Sequence, residues 1–178
     1  MKKKILAIAL TAAVALCFTA CGKAAETTTT QAETTEEQVG MANPWSDVAS
    51  QDEAAEKAGV GYFTIPKSGT ETADGTLTLD TFRYMEELAE ADGTIGSASI
   101  CIRKGLKQNS EDVSGDYNEY NYDWTETVGD FETKFYGNTE GKASKIVWVS
   151  DNFSYSIVIT GQDGISEETY KAIVPEVQ

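Results

Sequence analysis

The chain contains no histidine, and this limits the chemistry that its other side chains could perform. Without imidazole, Ser-His-Asp catalysis, Cys-His catalysis and histidine-ligated zinc are excluded. Cys101 therefore has no histidine to activate it as a nucleophile. It lies in Ser99-Ile100-Cys101-Ile102-Arg103, a pattern typical of a strand, which predicts a partly buried structural cysteine. We expect no catalytic residue, no metal ligand and no cofactor, so the protein is predicted not to be an enzyme.

The segment from residue 115 to residue 124 is the main candidate for a binding surface, because it mixes aromatic side chains with acidic and amide ones. On a strand, Tyr120, Tyr122 and Trp124 would point to one face. An exposed row of rings could stack on sugars or on a peptide. A buried row would instead be the core face of a half-buried strand. The candidate binding residues are Asp116, Tyr117, Asn118, Tyr120, Tyr122 and Trp124.

An oxygen-rich stretch overlaps this segment and raises the question of calcium. Calcium takes about six to eight oxygen ligands, and extracellular sites can be weak. The spacing here departs from that of an EF-hand loop, which favours a solvated acidic loop over a metal site. The oxygen-bearing residues are Glu111, Asp112, Asp116, Asn118 and Asp123.

The densest basic cluster outside the first residues of the chain is Arg103-Lys104 with Lys107. In an acidic protein such a cluster could receive a carboxylate or a phosphate. The simpler interpretation is that it balances neighbouring acidic side chains at the end of a strand.

The start of the chain has the pattern of a bacterial lipoprotein export signal. Three lysines at positions 2–4 precede an apolar run over residues 5–18, which is too short to span a bilayer. Small residues then precede Cys21, as in a lipobox. The pattern predicts cleavage before Cys21, its lipidation, and attachment to the extracytoplasmic face of the cell membrane. The alternative is an ordinary signal peptide cleaved near Ala20, which would leave Cys21 as a free thiol.

Composition divides the rest of the chain into a tether and one domain. Residues 22–40 are rich in threonine and glutamate and are predicted to form a flexible tether. Residues 41–178 are long enough for a single globular domain with a sizeable core. Residues 1–20 hold three lysines and no acidic residue, so the remainder has 11 basic and 29 acidic side chains and a net charge of −18. This charge argues against nucleic acid as a partner.

The elements that must position the candidate residues are mostly strands. Ser50-Gln51-Asp52-Glu53 has the spacing of a capping box and predicts a helix that stops at Gly59, with Trp45 and Val48 against its apolar side. Ser166 is expected to cap a last helix. The predicted strands are 60–65, 76–84, 97–104, 117–128, 131–136, 142–150 and 153–160, with a turn at residues 91–93. Residues 85–91 fit a strand or a helix.

This order predicts an α+β fold. We expect an antiparallel β-meander of about six or seven strands in a single domain. A short N-terminal helix and a C-terminal helix are expected to cover one face of this sheet.

Short motifs across residues 41–178 resemble a family of uncharacterised exported lipoproteins of Gram-positive-type bacteria. These lipoproteins are in turn related to extracytoplasmic domains of some anti-sigma-factor proteins. The resemblance implies one domain in an extracytoplasmic setting and favours a strand over residues 85–91; it carries no catalytic or ligand residues. The motifs are Asn43-Pro44-Trp45, Glu53-Ala54-Ala55, Ala58-Gly59, Ile102-Arg103-Lys104, Ser114-Gly115-Asp116-Tyr117-Asn118, Tyr155-Ser156-Ile157 and Gly164-Ile165-Ser166-Glu167-Glu168.

These observations favour a non-enzymatic binding or sensing module that is tethered to the membrane through the lipid on Cys21. The expected partner is a protein or a peptide. One alternative is a carboxylate-dependent glycan hydrolase, which would need two carboxyl groups about 5 Å apart in a cleft. Another is a structural envelope lipoprotein without a ligand. The sequence leaves the oligomeric state open.

Overall fold

The structure, a computed structural model, describes residues 43–178. The expected signal peptide (residues 1–20), the lipidated Cys21 and the tether (residues 22–40) lie outside the described residues. Residues 43–178 share one hydrophobic core, in which buried side chains of the sheet contact both helices and the C-terminal residues.

A nine-stranded antiparallel sheet forms most of the fold. Its strands are β1 Ser46–Val48, β2 Thr70–Thr72, β3 Gly75–Met85, β4 Leu88–Ile95, β5 Ala98–Leu106, β6 Tyr122–Val128, β7 Phe131–Gly137, β9 Lys145–Ser150 and β10 Phe153–Thr160. The short strands β8 Lys142–Ala143 and β11 Ile165–Ser166 pair separately. The helices are α1 Gln51–Ala58 and α2 Glu167–Ile173, followed by a 3₁₀ turn at Val174–Glu176.

The predicted α+β class is confirmed, with an antiparallel sheet and a short helix near each end of the described chain. The strands lie in the order β1-β3-β4-β5-β10-β9-β7-β6, and β2 pairs with β3. The sheet has more strands than the six or seven expected. The order also differs from a continuous meander, because the chain leaves β5 through a loop of residues 107–121 and begins β6 at the far edge. β5 and β10 pair near the centre of the sheet, with Ile102 opposite Ile157, and so connect its N-terminal strands to its C-terminal strands.

The two faces of the sheet have different coverings. One face, here called the helix face, carries Ala91, Ile102 and Ile157 into the core beneath α1 and α2. The opposite face, here called the loop face, lies partly beneath the 107–121 loop. Because side chains alternate along a strand, the neighbours of these core residues point to the loop face. There they form the polar network described below.

The local chemistry of α1 follows its sequence. The Ser50 hydroxyl accepts a hydrogen bond from the Glu53 backbone N–H at 3.2 Å, as the capping box predicts. The Glu53 carboxylate accepts from the Ala49 N–H at 3.1 Å, one residue before the usual partner. Ala54, Ala55 and Ala58 are buried on the side that faces β3 and β4. The small side chains let the helix lie close to the sheet.

Three local predictions were wrong. Residues 60–65 form no strand; instead, the backbone of Thr64 exchanges hydrogen bonds with Gln178. Strand β6 begins at Tyr122, not at residue 117. The predicted turn at residues 91–93 lies within β4, and the turn falls at Glu86–Glu87 instead. Gly93 opposes a bulge in β3, where an added Cβ would collide with the Thr78 carbonyl, so this glycine serves close approach between strands.

Candidate functional site

A fully buried carboxylate organises the loop face. Glu90 of β4 has no exposed surface. Its side chain points to the loop face, whereas those of its neighbours Ala89 and Ala91 point into the core. Arg83 of β3 donates to one of its oxygens, and Arg103 of β5 donates through Nε to the other at 2.5 Å. The register of β3, β4 and β5 places Arg83, Glu90 and Arg103 side by side. A buried charge of this kind is stable only when it is paired.

Asp92 and Cys101, both partly buried, complete the cluster around Glu90. Burial, together with the hydrogen bond to Glu90 and its charge, raises the pKa of Asp92 to about 6. Burial also raises the pKa of the Cys101 thiol, which donates to Glu90 at 3.4 Å. Burial opposes the ionisation of Glu90, but the hydrogen bond from Asp92 and the charge of Arg103 outweigh it and lower the Glu90 pKa. Cys101 therefore remains a neutral thiol, and Asp92 can carry a proton that it shares with Glu90.

A cation is disfavoured at this cluster. Glu90, Asp92 and Cys101 place potential ligand atoms within 4.8 Å of one another. Both Glu90 oxygens, however, already accept hydrogen bonds from arginines. The two guanidinium charges would also repel a metal ion.

Trp45, which immediately precedes β1, packs over both arginines. The guanidinium carbons of Arg83 and Arg103 lie 5.0 Å and 5.2 Å from the centroid of its ring. Contacts of this length are cation–π interactions, each contributing about 0.5–2 kcal/mol. The prediction that Trp45 packs against α1 was wrong, because the ring lies over the loop-face arginines. Val48 does pack against the core, as expected.

Arg103 also fixes the 107–121 loop. Its Nη1 donates to the Ser114 carbonyl at 2.5 Å. The next residue, Gly115, has φ +66°, and a Cβ at this position would collide with that same nitrogen. A glycine is therefore required here on two grounds, the left-handed backbone and the close approach of the guanidinium. One arginine thus links the carboxylate, Trp45 and the loop.

Lys145 of β9 holds the same loop further along the sheet. Its ammonium group lies 3.3 Å from Asp112 Oδ2 and 3.1 Å from the Asp116 carbonyl, and 4.6 Å from the Tyr136 ring centroid. Burial opposes ionisation of Asp112, but hydrogen bonds from Ser114 and the charge of Lys145 lower its pKa. The loop is therefore attached to the sheet at two positively charged points.

Lys104 acts on the opposite face. It is buried, and its ammonium group donates to the Tyr62 carbonyl and lies 4.2 Å from the Phe153 ring centroid. Burial lowers the pKa of Lys104. Arg103 and Lys104 are consecutive on a strand, so they point to opposite faces and do not form one basic cluster. Each holds a different irregular segment against the sheet.

A groove of about 870 Å³ opens beside this network. The sides are formed by Trp45, the turn between β3 and β4, the end of β5, and the 107–121 loop. Tyr117 is 94 % exposed at the edge of the groove. The residues that line the groove are Pro44, Trp45, Met85, Glu86, Glu87, Leu88, Arg103, Gly105, Leu106, Asn109, Ser110, Asp112, Val113, Gly115 and Tyr117. The volume is in the usual range for ligand sites, about 300–1,000 Å³.

The six predicted binding residues do not form one exposed row. Tyr117 lies at the groove. Tyr120 precedes β6, donates to the Asp116 carboxylate and is partly buried; Asn118 also bonds Asp116, at 2.9 Å and 2.6 Å. Burial and then the bond to Asp116 raise the Tyr120 pKa.

Tyr122 and Trp124, the last two of the six, belong to β6. Tyr122 is 43 % exposed on this edge strand. Trp124 is stacked on Phe135 with ring centroids 5.2 Å apart, and it packs against the core. Only Tyr117 of the six therefore lines the groove.

The oxygen-rich stretch is largely occupied by internal hydrogen bonds. Asp112 bonds Ser114 at 2.9 Å and Lys145, while Asp116 bonds Asn118 and Tyr120. The expected solvated loop is therefore, at Asp112 and Asp116, a loop whose carboxylates are held by internal hydrogen bonds.

Arg83, Glu90 and the role of Trp45 were not predicted from the sequence. A signal was present in Leu88-Ala89-Glu90-Ala91-Asp92, in which small apolar and acidic residues alternate. This period of two places Glu90 and Asp92 on the face opposite the alanines. This sequence signal is weak because residues 85–91 also fit a helix. In a helix, Glu90 and Asp92 would not share a face.

The fold and its polar network define an α+β domain with a loop attached to one face of the sheet and an open groove beside it. No family model matches the chain, and no curated protein or solved structure matches it. Within residues 43–178 no helix is both long and apolar enough to cross a membrane.

Replacing Asp92 with asparagine should remove a pH dependence from the free energy of unfolding. With a pKa of about 6 in the folded protein and about 3.9 in the unfolded chain, Asp92 binds its proton more tightly when folded. Its contribution to stability is complete below about pH 4 and is lost as the pH rises through about 6. Asparagine keeps a donor towards Glu90 at every pH. The variant should gain stability relative to the wild type, on the order of 2 kcal/mol, between pH 4 and pH 7. Urea unfolding of the wild type and the variant at pH 4 and pH 7 measures this gain. If the two proteins differ in free energy of unfolding by the same amount at both pH values, the prediction is wrong.

Proposed function

We propose that this protein is an extracytoplasmic lipoprotein, anchored through Cys21, that acts as a non-enzymatic binding or sensing module for a protein or peptide partner. The lipobox-like pattern before Cys21 supports the anchor and the location at the membrane. The motifs of residues 43–45, 102–104 and 114–118 support a relationship to the exported lipoprotein family described above. The net charge of −18 after residue 20 argues against nucleic acid.

The groove beside Trp45 is the observation that carries this proposal. Its aromatic and aliphatic lining is attached to a buried network of charges, so its walls are held in place before any partner binds. A surface that is organised in advance loses less conformational entropy when a partner binds. Tyr117 offers a large, fully accessible ring at the edge, which is typical of residues that contribute most to interfaces.

A glycan hydrolase is a weaker proposal. Glu90 and Asp92 do approach each other, but Glu90 is fully buried and each of its oxygens is bound by an arginine. A retaining mechanism needs both carboxyl groups to reach the sugar. Because Glu90 is inaccessible, this pair cannot supply both an accessible nucleophile and an accessible acid.

Chemical cross-linking on intact cells, followed by mass spectrometry, tests the binding function. We expect one or two reproducible partner proteins with the wild type and a loss of at least about tenfold in capture with Tyr117→Ala, because interface tyrosines often contribute 1–2 kcal/mol or more. Tyr62→Ala is the matched control, since Tyr62 is 90 % exposed and lies near Lys104 on the helix face. No capture above background by the wild type would favour a structural lipoprotein without a ligand.

A further inference from the structure

The groove has an acidic edge with which no basic side chain in residues 43–178 forms an ion pair. Glu86 and Glu87 are exposed at the turn between β3 and β4, and neither forms an ion pair among the described residues. Of the described residues that line the groove, Arg103 alone is basic. Its guanidinium is engaged by Glu90 and the Ser114 carbonyl. The potential that a partner meets at this edge is therefore negative.

Glu87 occupies a strained position in the turn and is held at the groove by Asn109. Glu87 has φ +37°, in a region that non-glycine residues seldom occupy. Two-residue hairpin turns favour asparagine, aspartate and glycine at such positions. A glutamate here costs conformational energy that asparagine or glycine would not. The Asn109 amide donates to the Glu87 carboxylate at 2.5 Å and so orients it at the groove.

Much of the remaining lining is apolar, although Asn109, Ser110 and Asp112 of the 107–121 loop add polar groups. Trp45, Met85 and Leu88 come from the segment before β1 and from the ends of β3 and β4, and Val113 and Tyr117 come from the 107–121 loop. All except Tyr117 are partly buried, so a bulky apolar side chain could enter between them. The groove thus combines an apolar interior with an acidic edge.

From this combination we infer that the groove binds a partner segment with a bulky apolar residue flanked by lysine or arginine, an inference that rests on the proposed function. Apolar burial supplies the affinity, and the flanking cations meet Glu86 and Glu87. The preceding part of this chain is a poor occupant, since residues 22–40 contain four glutamates and no aromatic residue. An anionic lipid surface is disfavoured by the same negative edge.

Fluorescence anisotropy with three labelled heptapeptides tests this inference on the full-length protein in nonionic detergent. The first peptide has a central Leu-Phe-Leu with two lysines at each end. The second replaces the lysines with glutamates, and the third keeps the lysines but has a central Ser-Ser-Ser. We expect the first peptide to bind about tenfold or more tightly than either of the others at low ionic strength. High salt should reduce its advantage over the glutamate peptide.

Two double variants separate the groove from the overall negative charge. Glu86→Gln with Glu87→Gln should remove most of the preference for lysine over glutamate. Glu140→Gln with Glu168→Gln makes the same change in charge at exposed positions, Glu140 just beyond the far end of β7 and Glu168 in α2. This control should keep the preference. An equal loss in both double variants would show that only net charge matters and would overturn the inference.

The remaining outcomes distinguish the inference from the proposed function. Equal binding of the lysine and glutamate peptides, weakened for both by Tyr117→Ala, overturns the partner chemistry but retains a binding groove. Binding of none of the peptides also overturns the inference. The proposed function fails separately, if cross-linking on cells captures no partner that depends on Tyr117.

Discussion

Glu90→Ala is expected to lower the free energy of unfolding by about 3–5 kcal/mol, since removing one partner of a buried ion pair leaves the other charge uncompensated. In this protein Arg103 would lose its one carboxylate partner among the described residues, while Arg83 would keep its ion pair with Asp92 at 3.1 Å. The contact of Trp45 with both arginines depends on the same geometry. Urea unfolding followed by tryptophan fluorescence measures the change.

The matched control for Glu90 is Glu132→Ala. Glu132 is an exposed acid on β7, and its substitution should change the free energy of unfolding by no more than about 0.5 kcal/mol. If Glu90→Ala unfolds at the same urea concentration as Glu132→Ala, the buried carboxylate does not organise the loop face.

Trp124→Ala is expected to cost about 2–4 kcal/mol of stability, because a large ring packed in a core leaves a cavity when it is truncated. Trp124 is stacked on the fully buried Phe135, which in turn lies 4.4 Å from Tyr170 of α2 between ring centroids. The substitution therefore loosens the packing of α2 on the sheet as well as that of β6. The same urea measurement applies.

Tyr117→Ala is the matched control for Trp124→Ala. Tyr117 is almost fully exposed, so its removal should cost no more than about 0.5 kcal/mol. The pair of results would separate a core ring from a surface ring within one predicted segment. Equal stability of the two variants would contradict this assignment and return Trp124 to the candidate surface.

The sequence was sufficient for the elements whose signals are local. The capping box at Ser50 locates α1. Ser166 also lies at the start of α2, as expected, but its hydroxyl donates to Asp74 and forms no cap hydrogen bond. The hairpin of β9 and β10 follows from two apolar runs around Asp151-Asn152. Each of these signals lies within a few residues of the structure that it determines, so no knowledge of distant contacts was needed.

The candidate site could not be predicted in the same way, because its contacts join distant parts of the chain. Trp45, Arg103 and Gly115 meet only because β1, β5 and the 107–121 loop are brought together by the sheet order. Side chains alternate between the faces of β5, so Arg103 and Lys104 point to opposite faces. Their adjacency in the sequence had suggested a single basic cluster. Sequence alone identified these motifs, and the structure shows that three of them converge at the groove.

Photo-cross-linking from position 117 on intact cells tests the central claim most directly. A benzoylphenylalanine at 117 lies at the groove, and one at 62 is the matched control, because both tyrosines are almost fully exposed. We expect a specific product from position 117 alone, linked to a partner segment with a bulky apolar residue beside lysine or arginine. No product from position 117, or the same product from both positions, would contradict it.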